Sequence, residues 1–341
     1  MFEAITPENQ ARWDAIVRSM RGFDFYHLAA YHRLDASGVP LLLHYSDNAA
    51  NVAFPIILRR IDDTDYRDIT SVYGYPSPLT NTFPLPQASL AAFHKQMLRF
   101  FDENSVVSAF SRLHPLFPEQ EKILEGTGDT INTGFTVAID LNIPENEQRK
   151  QYSHSLKNTL NRLERKNAEV KKAATNAEIE AFAEIYAETM TRLRAPQIYF
   201  FDGDYFRRFL KTLPSALYVA YYEGKIIGGA LFTDCNGIIQ LHLSAARNDC
   251  LHLSPLKYIW DQIRLYGVEN KRNYLHLGGG VGGSRDSLFA FKAQFSRLHF
   301  RFKTWRYVHN REVYDLLVRD KCGGDLPASS FFPLYRMGGC D

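Results

Sequence analysis

Strand-like and helical hydrophobic patterns divide the first half of the chain into strands and one clear helix. The apolar runs 40–46 and 51–60 are separated by a short polar stretch and predict a β-hairpin. Apolar residues at helical spacing over 88–104 predict a helix. The runs 106–113 and 133–141 predict two further strands.

The second half shows elements of the same kind. A long helical pattern covers 147–170, and shorter helices are predicted over 177–194 and 203–213. Three strand-like runs between 216 and 245 predict an antiparallel meander. A helix that begins at Ser254 and Pro255 follows. The pattern predicts an α+β protein of two domains, 1–145 and 146–341, which repeat the order meander, helix, strand.

A glycine-rich stretch, GGGVGGS, follows the last strand of this pattern. Gly278, Gly280 and Gly283 satisfy the dinucleotide-binding pattern G-x-G-x-x-G. Such a site also needs a βαβ unit and an acidic residue about 20 positions further on. This chain has the basic and aromatic segment FKTWRYVHN there. The stretch is therefore predicted to be a strand-to-helix turn, and the bare backbone at Gly279 and Gly280 would let a substrate approach.

The helix predicted after the glycines carries one lysine among apolar residues. Leu288, Phe291 and Phe295 form its apolar face, and Lys292 follows Leu288 by four residues. This spacing predicts that Lys292 lies along the packed edge of the helix. A buried stem that carries its ammonium group into water is the alternative.

Composition narrows the class of protein. The 341 residues are 45% hydrophobic and 23% charged, which is typical of a globular protein, and the net charge of +2 indicates no general affinity for nucleic acid or membrane. The four cysteines have neither C-x-x-C pairing nor metal-ligand spacing, which predicts a reducing compartment and no metal site. The first residues have early acids and no apolar core segment, so no signal peptide is expected, and no apolar run reaches the ~20 residues that cross a bilayer. We therefore predict a cytoplasmic protein that meets any lipid-linked substrate at the inner face of the membrane.

Six segments together resemble the Fem-type peptidyltransferases and related acyltransferases of the GNAT superfamily. They occur in the family's order from about Asp68 to Ser296: DITSVYGYPSPL, SLKNTLNRLERKNAEV, YAETMTRLRA, LYVAYYEGKIIGGALF, LHLSAARNDCLHLSPLKYIWDQI and YLHLGGGVGGSRDSLFAFKAQFS. The resemblance implies two tandem GNAT-like domains with a cleft between them, each a mixed, mainly antiparallel sheet flanked by helices. It implies transfer of an aminoacyl or acyl group to an amine, such as one in a peptidoglycan precursor.

Two features of these families are missing from the sequence. No segment carries the sustained heptads of the coiled-coil arm found in some Fem proteins. The pyrophosphate turn of GNAT enzymes would fall near SAARNDCLHLSP, which contains no glycine. The second departure favours aminoacyl-tRNA, or an unusual acyl carrier, over acyl-CoA. Either donor would be a co-substrate, and no separate cofactor is implied.

The resemblance also implies roles for two residues. Lys292 matches the lysine that follows phenylalanine in the family's C-terminal motif, and it would stabilise the oxyanion that forms when the acceptor amine attacks directly. Arg192 lies where the family carries an arginine that contacts a phosphate or carboxylate of the acceptor. A surface arginine is the alternative interpretation of Arg192.

Five further residues are candidates for the functional site, and each of them could instead have a purely structural role. Asp68 would hold or deprotonate an amine, or form a salt bridge. Tyr73 and Tyr75 lie beside Gly74 and would line a substrate cleft, or pack. His242 and His276 each stand in an LHL setting, where a core histidine is the commoner outcome.

A local basic strip covers residues 157–172. It could meet tRNA phosphates or a nucleotide diphosphate, and a solvated helix face is the alternative. Its six basic residues are Lys157, Arg162, Arg165, Lys166, Lys171 and Lys172.

Three hypotheses follow for function. The first is an aminoacyl or acyl transferase that acts on an amine of an envelope precursor. The second is an acyl-CoA-dependent N-acyltransferase for an amino sugar or amine in polysaccharide synthesis. The third is a catalytically silent GNAT-like binding module. The sequence does not determine the oligomeric state.

Overall fold

The computed structural model describes residues 1–322, 329 and 331–337. The chain forms two compact units, which we call the first unit (Met1–Thr133 with Arg301–Asp341) and the second unit (Gly134–Phe300). Compared with the predicted domains, 1–145 and 146–341, the segment 134–145 belongs to the second unit and the C-terminal segment to the first. The C-terminal segment belongs there because its strand pairs with a strand of the first unit.

Strands and helices are numbered along the chain. The elements up to residue 140 are β1 (Phe2–Ile5), α1 (Gln10–Arg18), α2 (Ala29–His32), β2 (Val39–Ser46), β3 (Asn51–Arg60), β4 (Arg67–Thr70), β5 (Leu79–Thr80), α3 (Gln87–Glu103), β6 (Val106–Arg112), α4 (Gln120–Ile123) and β7 (Asp129–Asp140). The later ones are α5 (Glu145–Lys150), α6 (His154–Arg165), β8 (Glu169–Lys172), α7 (Asn176–Arg192), α8 (Gly203–Thr212), β9 (Ser215–Tyr222), β10 (Lys225–Cys235), β11 (Ile238–Ala246), α9 (Pro255–Glu269), β12 (Tyr274–Gly279), α10 (Ser287–Lys292), β13 (His299–Val308) and α11 (Arg311–Cys322). None of the helices within the described residues has the length and apolar character that a membrane crossing requires.

The sheet of the first unit has the strand order β1-β2-β3-β4-β6-β13, with β5 beside β3. Its pairs are antiparallel except for β4 with β6. The predicted hairpin is confirmed as β2 and β3. The predicted helix is confirmed as α3, whose Phe93, Met97 and Phe101 are fully buried in the same core as Trp305.

The second unit has the same plan. Its strand order is β7-β12-β11-β10-β9-β8, and the pairs are antiparallel except for β11 with β12. Strands β9, β10 and β11 are the predicted meander, and α9 connects the parallel pair. Each unit is thus a mixed, mainly antiparallel sheet with helices, as predicted. The repeat is visible in the strand topology, although the two halves share no evident sequence similarity.

The predicted long helix over 147–170 is wrong because the chain breaks it twice. The side chain of Ser153 accepts a hydrogen bond from the backbone N–H of Leu156 at 3.1 Å and starts α6 as a new helix. Beyond α6, residues Glu169–Lys172 form β8 instead of another helical turn. The apolar stripe of α6 is correct, because Leu156, Leu160 and Leu163 are fully buried.

Two details near the glycine-rich stretch also differ from the sequence patterns. Ser254 is the residue before α9, but its backbone is left-handed (φ 57°) and its side chain makes no capping bond. In α10 the buried residue is Phe289, whereas Leu288 is 40% exposed. Phe295 is buried but lies beyond the end of α10, because this helix stops at Lys292.

Candidate active site

The parallel strands β11 and β12 of the second unit stay paired over only three residues. Pairing runs from Ile238 with Tyr274 to Gln240 with His276, although β11 continues to Ala246 and β12 to Gly279. The last pair is joined by its side chains, since His276 Nδ1 lies 2.7 Å from Gln240 Oε1. We call the place where pairing ends the fork. The next part of β11 is only half-buried from position 242 to 244, although it belongs to the middle of a sheet.

The glycine bend, residues 278–283, continues β12 beyond the fork. Gly278, Gly282 and Gly283 have positive φ angles of 76°, 60° and 86°, which glycine adopts without strain. Gly280 has an ordinary φ, but a Cβ there would overlap Asp286 Oδ1 and the carbonyl oxygen of Ser284. The predicted turn is thus present. In the sheet β12 lies between β11 and β7, so the strand after the bend does not return beside it as a dinucleotide βαβ unit requires.

Asp286 joins the glycine bend to α10. Its side chain accepts hydrogen bonds at 2.9 Å from the backbone N–H groups of Val281 and Phe289. These bonds hold the pKa of Asp286 below its usual value, so it is a carboxylate at neutral pH. An aspartate three residues before the first buried position of a helix is a capping signal that the sequence analysis did not use.

Lys292 ends α10 and turns back toward β12. Its Nζ donates a hydrogen bond of 2.7 Å to the carbonyl oxygen of Gly279. Burial lowers the pKa of Lys292 to about 8, and the carboxylate of Asp286 partly opposes this shift. The residue follows the packed edge of the helix, which is the first of the two alternatives for its side chain. The fold brings Lys292 to Gly279 at the C-terminal end of β12, next to Gly280.

The two candidate histidines are packed side chains. His276 is fully buried and bonded to Gln240 at the fork. His242 stacks on Phe209 at 4.8 Å, and its Nε2 lies 3.2 Å from the hydroxyl of Tyr205. Burial lowers the pKa of His242 to about 3, so its ring is neutral at pH 7. A substrate-binding role for either histidine stays a prediction.

Arg192 ends α7 beside the last residue of β11. Its guanidinium contacts Asn248 Oδ1 and lies 3.4 Å from the carbonyl oxygen of Ala246. The side chain is exposed, and a role in holding a phosphate or carboxylate of an acceptor stays a prediction.

Asp68 in β4 of the first unit is fully buried and held by two arginines. Arg59 donates to its carboxylate at 2.8 and 3.2 Å, Arg336 donates from Nε, and the hydroxyl of Tyr335 lies at 3.2 Å. Asp68 therefore forms the salt bridge that the sequence analysis gave as one of its two possible roles. Both of its carboxylate oxygens already accept hydrogen bonds. A catalytic role stays a prediction.

The two candidate tyrosines of the first unit differ in exposure. Tyr73 is 52% exposed, and its carbonyl oxygen accepts a hydrogen bond from Tyr31. Tyr75 is half-buried and packs edge-on against Tyr26 at 5.5 Å. Gly74 between them has φ 115°, and a Cβ there would overlap the Tyr26 ring. Tyr73 is therefore exposed, whereas Tyr75 mainly packs, and a substrate-lining role for either tyrosine stays a prediction.

The basic strip 157–172 is divided between α6 and β8. Arg162, Arg165 and Lys166 border a surface depression of about 700 Å³ along α6. Lys171 is paired with Glu169 and lies over the Tyr221 ring. Among the described residues, Arg162, Arg165 and Lys166 form no ion pair with an acidic side chain, and neither does Lys172 of β8.

A comparison with protein-family models and with curated protein sequences gave no match. Among solved structures, the chain superposes on FemX with a TM-score of 0.71 and 12% identity, over 93% of this chain and 99% of FemX. It superposes on L-PGS from Bacillus licheniformis with a TM-score of 0.60 and 14% identity, over 91% and 96% of the two chains. It also superposes on the C-terminal domain of an assigned lysylphosphatidylglycerol synthetase from Agrobacterium fabrum. The TM-score is 0.59 and the identity 14%, over 92% of this chain and 96% of that domain. At this level of identity the likeness is one of fold, and the chain has the fold of FemX, which the resemblance of its motifs to Fem-type proteins predicted.

Proposed function

We propose that the protein is an acyltransferase that moves an activated aminoacyl or acyl group from a carrier to an amine of a cell-envelope component. The observation that carries the proposal is the ammonium group of Lys292, held on the carbonyl oxygen of Gly279 beside the fork. Further support comes from the shared fold with FemX and L-PGS. The name lysylphosphatidylglycerol synthetase describes an aminoacylated phospholipid as the product of that relative.

In the proposed reaction the neutral acceptor amine attacks the carbonyl carbon of the donor. The new C–N bond forms as the carbonyl π pair moves onto oxygen, and the oxyanion then expels the oxygen or sulfur of the carrier, which leaves with the proton from the amine. An ammonium group has three N–H donors. Lys292 can therefore keep its bond to Gly279 and donate a second one to the oxyanion. A pKa of about 8 leaves most of this group charged at pH 7.

The donor is a co-substrate, and the proposal includes no resident cofactor. Aminoacyl-tRNA and acyl-CoA both supply an activated carbonyl on a phosphate-bearing carrier. In the proposal, tRNA would use the α6 part of the basic strip, and Arg192 would hold a phosphate or carboxylate of the acceptor. The reaction would take place in the cytoplasm or at the inner face of the membrane, where envelope precursors are assembled.

Mass spectrometry of envelope precursors tests this function directly. Cells that carry the active gene, a deletion, or the Lys292→Met variant are compared. We expect a precursor whose mass is larger by one amino-acid residue in the first strain, and its loss in the other two. An acyl-sized difference would select the acyl-CoA hypothesis instead. Identical precursors in all three strains would contradict transfer and support a silent binding module.

A further inference from the structure

The turn between α5 and α6 holds the chain that leaves α10, and we call this turn the clamp (residues 151–153). The backbone N–H of Ser153 donates a hydrogen bond of 2.9 Å to the carbonyl oxygen of Gln294. The side-chain oxygen of Gln151 accepts a hydrogen bond of 3.2 Å from the hydroxyl of Ser296. Both partners lie directly beyond α10, so the clamp fixes the path by which the chain leaves that helix.

The chain around Lys292 is also held by aromatic packing. Phe291 precedes the lysine and Phe295 follows it. The Phe295 ring lies edge-on to the ring of Tyr152 in the clamp, with 5.6 Å between the ring centres. Trp260 of α9 is buried and lies 5.1 Å from the Phe291 ring and 5.5 Å from the Phe295 ring. The backbone that carries Lys292 is therefore packed both before and after this residue.

The hydroxyl of Tyr152 connects the clamp to a buried charge network on α9. It donates to Asp261 Oδ1 at 2.6 Å, and Arg264 donates from Nε to the same oxygen at 2.8 Å. Arg264 also donates to Gln148 of α5 at 3.1 Å and to Glu145 at 3.3 Å. Asp261 and Arg264 are fully buried, and a different arrangement would leave one of these charges unpaired. The network therefore holds the clamp in one position against α9.

We infer that Tyr152 is a positioning residue, which holds Lys292 on the carbonyl oxygen of Gly279 through the clamp and Phe295. This role rests on the proposed acyl transfer. The Nζ of Lys292 lies 2.7 Å from that oxygen, but α10 has only six residues and is too short to be stable without packing. A displacement of about 1 Å at a reacting group can lower a rate about 100-fold. Tyr152 would act by preventing such a displacement of the ammonium group.

Chemical labelling measures the surroundings of Lys292 without any substrate. The wild type, Tyr152→Phe and Tyr152→Leu are treated briefly with acetic anhydride at a series of pH values, and mass spectrometry gives the extent of acetylation at Lys292. Burial lowers the pKa of Lys292 to about 8, and Asp286, whose carboxylate opposes this shift, is the same in all three proteins. We expect Tyr152→Leu to raise the labelling midpoint toward the ordinary lysine value of about 10.4, because the loosened segment admits water. Tyr152→Phe keeps the ring and loses only the bond to Asp261, so its shift should be smaller.

Tyr266→Leu is the matched control in the same unit. Tyr266 belongs to α9, donates from its hydroxyl to Asp234 at 2.8 Å, and places its ring 5.6 Å from the Phe232 ring. In either leucine variant an arginine remains paired with the aspartate. The two variants should therefore lower the Tm by similar amounts, whereas only Tyr152→Leu should shift the midpoint at Lys292.

Turnover separates positioning from general destabilisation. Tyr152→Leu should lower kcat about tenfold or more with KM little changed, since the substrates still bind. Tyr152→Phe should keep most of the activity, and Tyr266→Leu should match the wild type. A folded Tyr152→Leu protein with the midpoint and kcat of Tyr266→Leu would overturn the inference. Should Tyr152→Leu fail to fold, a wild-type midpoint at Lys292 in Tyr152→Phe would overturn it.

The outcomes for this role and for the function are separable. If the midpoint at Lys292 depends on Tyr152 but envelope precursors are unchanged by the gene, the structural link stands and the acyl transfer fails. If precursors gain mass through Lys292 but the midpoint and kcat are insensitive to Tyr152, the transfer stands and the positioning role fails.

Discussion

The ammonium group of Lys292 sits where burial and one carboxylate act on it in opposite directions. Burial favours the neutral amine, and Asp286 favours the charged form. The resulting pKa of about 8 makes the group a cation at neutral pH that loses its proton within the range of a kinetic experiment. The charge of this residue is therefore open to a direct test.

Replacement of Lys292 should remove most of the activity and alter its pH dependence. We expect Lys292→Met to lower kcat/KM by about 10²–10³, as the loss of an oxyanion donor does elsewhere. The wild type should lose kcat/KM as pH rises through about 8, because Lys292 is charged only below its pKa. Lys292→Arg should be partly active and lack this alkaline loss, since an arginine stays charged.

The measurement is kcat/KM between pH 6.5 and 9.5 with the donor identified by mass spectrometry. Lys211→Met serves as the control for a general loss of one positive charge. A Lys292→Met variant within threefold of the wild type would contradict the proposed role.

Replacement of Asp68 separates a structural from a catalytic role. Asp68→Asn removes the charge that two arginines share and should lower the free energy of unfolding by about 3 kcal/mol. If the carboxylate acts as a salt-bridge partner, activity per folded molecule should stay the same. Urea unfolding and kcat on the same preparation provide both values.

Glu125→Gln, which breaks an exposed ion pair with Lys122, is the matched control and should change neither value. An Asp68→Asn protein of normal stability and low kcat would instead support the catalytic prediction.

At the scale of elements, the glycine bend connects the fork to α10 through close contacts. A side chain at Gly280 would collide with the carboxylate of Asp286, which caps α10 and holds Val281. A side chain at Gly282 would meet nothing within 4 Å, although its φ of 60° is unfavourable for other residues. Glycine is therefore required at position 280 by the lack of space for a side chain and favoured at position 282 by the backbone conformation.

Alanine at these positions should have unequal effects. We expect Gly280→Ala to cost about 2 kcal/mol through overlap and loss of the cap, and to lower kcat by moving Lys292. Gly282→Ala should cost about 1 kcal/mol for the left-handed backbone, with kcat nearly unchanged. Unfolding and kcat measured on both variants decide the matter, and equal kcat values would show that the bend does not position Lys292.

The hydrophobic periodicity predicted most strands and helices, because the side chains that form one face of such an element are close together in sequence. The hairpin of β2 and β3, the meander of β9 to β11 and the helix α3 all formed as the pattern indicated. The break before α6 was missed because a single cap at Ser153 outweighed a continuous apolar stripe. The pattern also overstated α10, where Leu288 is exposed and Phe289 is buried.

At the scale of the whole molecule, several buried histidines link stability to pH. Burial lowers the pKa of His32 to about 4 and the pKa of His114 to about 3, and it lowers that of His27 strongly. A group whose pKa falls on folding gives full stability above its unfolded value, near 6.5, and loses it as pH decreases toward the folded value. Asp24 beside His114 acts in the opposite direction, since burial raises its pKa to about 8.

His32 offers the simplest test of this linkage. The low pKa of folded His32 should cost about 2 kcal/mol of stability at pH 5, because the unfolded chain binds a proton there that the folded protein does not. The figure follows from about 1.36 kcal/mol per pH unit below 6.5. His32→Phe keeps a ring against Trp13, which contacts the imidazole at 5.1 Å, and removes the titration. The variant should be less stable at pH 7, because Tyr26 loses its hydrogen-bond donor, but its stability should fall less between pH 7 and pH 5. Urea unfolding at the two pH values measures this slope, and equal slopes would exclude His32 as a contributor.

By itself the sequence determined most of the strands and helices, the two-fold repetition of their order, the glycine bend and the lysine after Phe291. These depend on side-chain periodicity, backbone preferences of glycine and motifs of adjacent residues. Only the tertiary structure decided that β13 pairs with β6, that β11 and β12 part after Gln240, and that two arginines hold Asp68. Those features arise from backbone pairing and charge contacts between residues far apart in the chain, whose free energy no local pattern records.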